Sequence, residues 1–319
     1  MLQVHLATHG DPASLTPKVR AGHDPFLDAM TARCPGLAAL TRGPVDAMPA
    51  ECNVLVGSEI TAESLAARPL LRHLIVPWAG VPASLEASVA ASGRQDVTIH
   101  NLHHNAASAA ETGIGLLLAA ARGIARLDPL LRADDWRPRY QPRPARRLEG
   151  GRAAVLGRGA IGGRVARALE GLGMAVDRIG RPPTGGRWST PDLATRLDGR
   201  QVLVIAIPLG PDTEGVVNGD VLDALDDGIV VNVGRARLVD EDALFDRLAD
   251  GRLFAAGLDV WWRVPTTVET RADWPPADRP FRDLDNVVMT PHVGGGLGEP
   301  EIETCRADAL VEVLRRLDA

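Results

Sequence analysis

Short apolar runs alternate with amphipathic segments along most of the chain, and this alternation is typical of strand–helix–strand units. In the first hundred residues, the apolar runs predict strands at 2–7, 53–57, 73–76 and 97–100. The segments between them predict helices at 24–33, 62–68 and 83–91. Strands that alternate with helices pair into a parallel sheet, so this part of the chain is expected to form an α/β domain.

A glycine-rich turn follows the apolar run at 153–156 and precedes an apolar-periodic segment at 165–172. In such a turn Gly157 permits the sharp bend, Gly159 lets a pyrophosphate approach the backbone, and Gly162 lets the helix pack closely on the strand. The helix N-terminus offers unpaired N–H groups and the positive end of its dipole to phosphates. This context predicts a dinucleotide site, and the alternative is a strand–helix turn that binds nothing.

The apolar runs after the glycine turn predict strands at 176–179, 202–207, 229–233, 253–258 and 286–289. The first half of the chain contains no second glycine fingerprint, and we therefore expect it to be a separate, smaller domain. A helix predicted at 301–317 has apolar residues at Leu310, Val311, Leu314 and Leu317. We expect this helix to return to the first domain, which would make that domain discontinuous.

Residues 105–127 form a long Ala-rich stretch with the composition of an apolar helix. The apolar surface of such a helix must pack against other protein. Two interpretations satisfy that requirement: a core helix of the second domain, or a dimer interface. The following residues, 128–150, are rich in proline and arginine and are expected to be irregular.

The composition narrows the class of protein. The chain has 319 residues and a formal net charge of −6, with scattered basic residues that do not favour nucleic acid. No apolar run is long enough to span a bilayer, and no signal-peptide pattern opens the chain. The three cysteines, Cys34, Cys52 and Cys305, have no metal-site spacing. We therefore expect a cytoplasmic enzyme with no metal and with neither nucleic acid nor membrane as a partner.

Five blocks in order resemble the D-isomer-specific 2-hydroxyacid dehydrogenases, a family that includes phosphoglycerate dehydrogenases. They are the glycine fingerprint 157–162, PLGPDT at 208–213, VNVGR at 231–235, GLDV at 257–260 and TPH at 290–292. The resemblance covers nearly the whole chain from about Val76 onward. It implies two doubly wound parallel-sheet α/β domains with the active site in the cleft between them, and a homodimer held largely by the helix at 105–127.

The resemblance also implies the domain bounds. A Rossmann cofactor domain with the dimerisation helix would occupy 102–291, and a flavodoxin-like substrate domain would occupy 1–101 and 292–319.

The chemistry of a 2-oxo acid requires an anchored carboxylate, a polarised carbonyl and a proton donor. A guanidinium such as that of Arg235 forks onto carboxylate and carbonyl oxygens, and His292 titrates near the working pH. By resemblance these are the catalytic arginine and histidine of the family. The resemblance also places backbone N–H groups of Ala79, Gly80 and Val81 around the substrate carboxylate. The alternatives are a surface arginine after a strand and a core histidine.

The expected cofactor site combines the glycine turn, the end of the second strand of that domain and the loops after the later strands. It comprises Gly157, Gly159, Ala160, Ile161, Gly162, Gly180, Arg181, Ile207, Pro208, Thr213, Val233, Gly234, Asp259 and Gly294.

The residues at the end of the second strand bear on cofactor choice. An acidic residue there binds the ribose hydroxyls of NAD, whereas an arginine accommodates the 2′-phosphate of NADP. By family spacing the acidic position falls on Gly180, followed by Arg181, which favours NADP(H) with NAD(H) as a possible cofactor. An alignment onto Asp177 would reverse this prediction.

Two departures from the family pattern concern the substrate site. The family places a glutamate, which orients the histidine and favours its protonated form, at the position of Val264. Glu269 or Asp273 could replace it, and Trp261 and Trp262 could wall the pocket or fill the loop core. Before the long helix, HNLHHN at 100–105 replaces the Asn-x-Pro-x-x-Asn pattern, so that His103 or His104 could face the substrate.

Three functional hypotheses remain. The first is an NADP(H)-dependent oxidoreductase that acts on a small 2-oxo or 2-hydroxy acid. The second is a catalytically idle dinucleotide-binding regulatory protein, which the missing glutamate favours and the retained Arg235 and His292 oppose. The third is a reductase of an unusual acid such as a phosphonate.

Overall fold

The computed structural model describes residues 1–7, 25–34, 36, 38–141, 144–181 and 188–318. The chain divides into two compact units. Unit 1 comprises Met1–Asn105 and Gly298–Ala319, and unit 2 comprises Ala106–Leu297. The boundaries therefore fall after residues 105 and 297, whereas the predicted ones fall after 101 and 291.

Unit 1 contains a parallel sheet of five strands: β1 (Leu2–Ala7), β2 (Ala38–Gly43), β3 (Val54–Val56), β4 (His73–Val76) and β5 (Thr98–Asn101). Its described residues form the helices α1 (Pro25–Arg33), α2 (Ala62–Ala66) and α3 (Ala83–Ala91). The order of the strands is β2-β1-β3-β4-β5. This is the flavodoxin-like order, as predicted.

Strand β2 was missed by the sequence analysis, because its sequence AALTRG has no fully buried residue and little apolar character. Long-range pairing with β1 creates it, from Leu2 opposite Ala38 to Ala7 opposite Gly43. The strand also satisfies a buried histidine of β1. His5 is 1% exposed, and its Nε2 donates to the Gly43 carbonyl at 3.1 Å.

Unit 2 contains a parallel sheet of six strands: β6 (Arg152–Leu156), β7 (Ala175–Ile179), β8 (Arg200–Ile205), β9 (Leu225–Asn232), β10 (Ala255–Leu258) and β11 (Val287–Met289). The strand order is β11-β10-β9-β8-β6-β7, so the direction of winding reverses between β6 and β8. Ligands of doubly wound sheets bind beyond the carboxyl ends of the strands at such a reversal. The predicted α/β class with two parallel sheets is confirmed.

The helices of unit 2 are α4 (Ala106–Arg122), α5 (Ile124–Arg132), α6 (Ala160–Gly171), α7 (Thr190–Leu197), α8 (Gly219–Asp223) and α9 (Glu241–Ala249). The last helix of the chain, α10 (Ile302–Leu317), packs in the core of unit 1. Its buried residues Ala307, Leu310, Val311 and Leu314 form one stripe at helical spacing. Helix α10 thus belongs to the core of unit 1.

The predicted helix at 105–127 was wrong in its C-terminal bound. Helix α4 ends at Arg122, because Gly123 takes a left-handed conformation with φ 65°. Helix α5 then continues to Arg132, so residues 128–132 are helical rather than irregular. The apolar face of α4 lies in the core of unit 2. A Cβ on Gly257 of β10 would come within 2.8 Å of the Leu116 side chain.

Among the described residues, no helix combines the length and apolar character needed to cross a membrane. The described side chains also contain no group of three or more His, Cys, Asp or Glu residues that could hold a metal ion.

Candidate functional site

The glycine turn between β6 and α6 requires two of its glycines for steric reasons. Gly157 has φ 123°, and a Cβ there would lie 2.4 Å from the Ala206 carbonyl oxygen. A Cβ on Gly162 would lie 2.1 Å from the carbonyl oxygen of Gly157. By contrast, a Cβ on Gly159 would have no neighbour within 4 Å. The outer glycines therefore allow strand and helix to touch, and the middle one leaves open space above the backbone.

The N-terminus of α6 adjoins that open space. Gly159 is the N-cap and gives no side-chain cap, so the first N–H groups, beginning with Ala160 and Ile161, are free of the capping oxygen that most helices use. Inside the helix, Gly162, Val165, Ala166 and Leu169 are buried against the sheet. This arrangement suits a diphosphate, because uncapped N–H groups and the helix dipole attract negative charge.

The end of β7 carries no acidic side chain that is free to bind a ribose. Asp177 accepts hydrogen bonds from Arg196 Nη2 at 2.8 and 3.1 Å, and Arg200 lies 3.8 Å from it. The strand ends at buried Ile179, and Gly180 and Arg181 follow. Beside these residues is a cavity of about 420 Å³, lined by Arg158, Ile179, Gly180, Arg181, Trp188, Ser189, Asp192, Leu193 and Arg196.

The loops after β8 and β9 contain five of the expected cofactor residues, of which Gly234 is described with Arg235 below. Ile207 and Val233 are buried, at 7% and 8% exposure. Pro208 is exposed. Thr213 is 3% exposed, and its hydroxyl donates to the Pro208 carbonyl at 2.9 Å and accepts from the Gly210 N–H at 2.8 Å. Thr213 thereby fixes the shape of the loop that presents Pro208.

Arg235 is held at the end of β9 by the buried side chain of Asn232. The Asn232 amide accepts from the Gly234 N–H at 3.0 Å and donates to the Arg235 carbonyl at 3.0 Å. Gly234 is required here, because a Cβ would lie 2.9 Å from the Ile207 carbonyl oxygen. Asn232 therefore closes a tight turn from which the Arg235 side chain leaves.

The guanidinium of Arg235 is available to an anion. It is exposed, its Nη1 donates to the Gly234 carbonyl at 2.8 Å, and no described acidic residue forms an ion pair with it. Desolvation by neighbouring protein lowers its pKa, but an arginine stays charged at neutral pH. A charged, unpaired and partly desolvated guanidinium is a good receptor for a carboxylate.

His292 lies on residues 290–294, which we call the His292 loop. It has φ 58°, a left-handed conformation that non-glycine residues seldom adopt. The carboxylate of Asp259, 3% exposed, holds the loop in place. Oδ1 accepts from the Thr290 hydroxyl at 2.7 Å and the Val293 N–H at 3.0 Å, and Oδ2 accepts from the Gly294 N–H at 3.0 Å.

Trp261 also holds the His292 loop in place, a role that its sequence position alone did not determine. Its Nε1 donates to the Thr290 carbonyl at 2.8 Å. Trp262 donates to the Val239 carbonyl at 3.2 Å and stacks on Phe281 with ring centroids 5.5 Å apart. Trp262 thus belongs to the loop core, whereas Trp261 contacts the His292 loop directly.

The pKa of His292 is lowered, first by desolvation and then by the positive charge of Arg235, whereas Asp259 opposes the shift. Val264, at the position of the missing glutamate, is 57% exposed. Neither Glu269 nor Asp273 is among the groups that shift the pKa of His292. Among the described carboxylates, Asp259 is therefore the one that acts on His292.

The expected carboxylate-binding loop lies in unit 1, between β4 and α3. The N–H groups of Ala79, Gly80 and Val81 donate to no acceptor among the described residues, and the side chain of Asn101 donates to the Ala79 carbonyl. His103 is exposed. The pKa of His104 is lowered to about 4 by desolvation and by the charges of Arg306 and His103, so this ring is neutral at pH 7.

The two parallel sheets and the glycine turn define a doubly wound nucleotide-binding fold. The family described as "D-isomer specific 2-hydroxyacid dehydrogenase, NAD binding domain" matches residues 114–294. The chain therefore belongs to the D-isomer specific 2-hydroxyacid dehydrogenase family.

Several relatives are similar along much of the chain. The D-3-phosphoglycerate dehydrogenase of Mycobacterium leprae is 35% identical over 266 residues, which are 80% of this chain and 47% of that protein. The hydroxypyruvate reductase of Thermotoga maritima is 33% identical over 200 residues, 62% of each chain. The chain thus spans about half to three fifths of the length of these two relatives.

Among solved structures, a D-isomer specific 2-hydroxyacid dehydrogenase from Xanthobacter autotrophicus, in complex with NADPH and MES, superposes with a TM-score of 0.71 at 24% identity. The match covers 99% of this chain and 95% of that one, and it supports the fold.

Proposed function

We propose that the protein is an oxidoreductase that transfers a hydride between NADP(H) and a 2-oxo or 2-hydroxy acid. The observation that carries the proposal is the pair of Arg235 and His292. An unpaired guanidinium lies close enough to His292 to lower its pKa, at the strand ends of the sheet that carries the glycine turn. The names of the relatives, a phosphoglycerate dehydrogenase and a hydroxypyruvate reductase, support this substrate class.

The residues fit a dinucleotide. The gap above Gly159 admits a diphosphate to the uncapped start of α6, and the cavity beside Gly180 has space for a nucleoside. Asp177 accepts a hydrogen bond from Arg196, which supports the alignment on Gly180 and Arg181 over the one that favoured NAD(H). We therefore propose NADP(H) as the preferred cofactor, with NAD(H) as the weaker one. When bound, the nicotinamide supplies or accepts the hydride.

In the proposed mechanism Arg235 binds the substrate carboxylate and the carbonyl oxygen, and its charge polarises the carbonyl. The protonated ring of His292 donates its proton to that oxygen as the carbon is reduced. In the reverse direction neutral His292 accepts the proton of the hydroxyl group.

Asp259 takes part of the role that the family gives to a glutamate. It accepts hydrogen bonds from the Thr290 hydroxyl before His292 and the Val293 N–H after it, and its negative charge raises the pKa of the ring against desolvation and Arg235. Its carboxylate oxygens accept three hydrogen bonds from the His292 loop, so we propose that it positions the loop rather than binding the cofactor through its side chain.

We also propose that two copies associate through α5 and the segment after it. Four large side chains there are exposed: Ile124 at 52%, Leu131 at 51%, Trp136 at 60% and Tyr140 at 78%. A second copy would cover this apolar surface. Sedimentation of the protein and of Leu131→Asp should give a dimer and a monomer, respectively, and a monomer in both would refute the proposal.

The function is tested with a panel of 2-oxo acids and either NADPH or NADH, followed by the loss of reduced-cofactor absorbance. We expect turnover of at least one acid, faster with NADPH. Cofactor binding without turnover of any acid would favour the idle regulatory protein instead.

A further inference from the structure

The side chain of Arg158, the second residue of the glycine turn, lies over Gly180. An ideal Cβ on Gly180 would be 2.7 Å from Arg158 Cδ and 3.0 Å from its Nε. The same Nε donates to the Arg178 carbonyl at 2.8 Å, which holds the side chain across the end of β7. Arg158 therefore occupies the space that any side chain at position 180 would need.

Some of the arginines around the cavity beside Gly180 have ion-pair partners, and others have none among the described residues. Arg196 pairs with Asp177, and Arg178 pairs with Glu170 at 2.8 Å. Arg158 and Arg181 are exposed and form no ion pair with any described residue. Asp192 is the one carboxylate among the lining residues that has no described ion-pair partner. Two guanidinium groups without a described ion-pair partner thus lie beside one carboxylate, an excess of one positive charge, so the cavity is suited to an anion.

We propose that Arg158 selects NADP(H) by binding the 2′-phosphate of its adenosine half, and that position 180 is glycine because the Arg158 side chain crosses it. The inference rests on the proposed function and deepens it, since it names a specificity residue that lies in the glycine turn rather than at the end of β7. Arg181, which lines the same cavity, supplies the second positive charge. An acidic side chain at 180 would both collide with Arg158 and neutralise it.

Binding of two nucleotides that differ only in the 2′-phosphate tests the proposal without any need for turnover. Calorimetric titration of 2′,5′-ADP and 5′-AMP is carried out on the unmodified protein, Arg158→Leu, Arg181→Ala and the control Arg147→Leu. Arg147 is exposed, has no described ion-pair partner and precedes the amino end of β6, so its removal changes the net charge equally. Thermal melting verifies that each variant is folded.

We expect Arg158→Leu to weaken 2′,5′-ADP by at least about tenfold, the usual loss for one charge-assisted hydrogen bond, and 5′-AMP by less than about twofold. Arg147→Leu should change neither. An equal loss for both nucleotides would place Arg158 on a group they share and overturn the proposal. So would no loss in Arg158→Leu together with a large one in Arg181→Ala.

The steric part is tested by Gly180→Asp, alone and combined with Arg158→Leu. In the double variant the new carboxylate has space and is no longer neutralised by Arg158, and NADH affinity should rise above that of either single variant. Additive effects of the two substitutions on NADH affinity would refute the coupling of positions 158 and 180.

These outcomes separate the inference from the proposed function. If the unmodified protein prefers 2′,5′-ADP, Arg158→Leu loses that preference and no 2-oxo acid is reduced, the reductase function fails and the assignment of Arg158 stands. If it reduces 2-oxo acids and prefers 5′-AMP or neither nucleotide, the role of Arg158 is refuted and the reductase function stands.

Discussion

The glycine turn and the His292 loop both lie at the ends of strands of one sheet, yet they are held by opposite means. In the turn, missing side chains let backbone touch backbone, as the 2.1 Å distance between a Cβ on Gly162 and the Gly157 carbonyl oxygen shows. In the loop, a buried carboxylate, Asp259, gathers a hydroxyl and two N–H groups. The turn depends on close packing of backbone atoms, and the loop depends on hydrogen bonds to one carboxylate.

This difference determines which substitutions each region tolerates. A turn defined by steric exclusion fails when a methyl group is added at the wrong glycine. A loop defined by hydrogen bonds fails when a single acceptor is removed, because the buried donors that remain lose their partners. The loop also sets the charge state of His292, since the carboxylate that holds it affects the ring electrostatically.

The largest effect is expected from His292→Ala, which removes the proposed proton donor and leaves the glycine turn untouched. Turnover of the best 2-oxo acid should fall by roughly 10²–10⁴-fold, the usual contribution of general acid catalysis. Affinity for NADPH, measured by fluorescence titration, should remain unchanged. A normal rate in this variant would exclude the mechanism.

Asp259→Ala should disrupt the loop while keeping the ring of His292. Three donors lose their acceptor, and we expect the free energy of unfolding to fall by about 2–4 kcal/mol, together with a loss of turnover. In Asp259→Asn, which is milder, the pKa of His292 should fall further, because the charge that raises it is gone. Reduction would then decline at lower pH than in the unmodified protein. An unchanged pH profile with reduced stability would limit Asp259 to a structural role.

Two substitutions of the glycine turn form a matched pair. Gly162→Ala should lower the free energy of unfolding by about 1–3 kcal/mol, as overpacking does, because the nearest atom is rigid backbone. Gly159→Ala places the same methyl group in open space and should leave stability within about 0.5 kcal/mol. It should nevertheless weaken NADPH binding, because the methyl group enters the space proposed for the diphosphate. Urea unfolding of both variants checks the pair, and equal losses of stability would contradict it.

The smallest effect is expected from Val264→Glu. Desolvation and Arg235 lower the pKa of His292, so the protonated ring needed for reduction is lost early as pH rises. A carboxylate at 264 should move the alkaline limb of kcat/KM to higher pH, by no more than about one unit, because the position is exposed and the charge is screened. A limb that does not move would mean that this loop holds residue 264 away from the ring. Val264→Gln, without the charge, is the control.

Local sequence patterns predicted the positions of most strands and of the glycine turn. The apolar runs located ten of the eleven strands in the described part of the chain within a few residues, and the glycine spacing located the turn before α6. The missed strand, β2, has no apolar pattern of its own and depends on pairing with β1 across 36 positions. The end of α4 was missed for a different reason, because one left-handed glycine interrupts an apolar pattern that continues into α5.

For the candidate site, the sequence by itself determined which residue types stand at the strand ends: the glycines of the turn, Arg235 and His292. Such residues are readable because their spacing along the chain follows directly from strand, turn and helix geometry. Only the tertiary structure decided which groups act on them. The bonds from Asp259 and Trp261 to the His292 loop join residues 29–35 positions apart, and the placement of Arg158 over Gly180 joins two separate strand ends. Local sequence patterns cannot predict such contacts between residues far apart in the sequence. These contacts form only when the sheet brings the ends of its strands side by side.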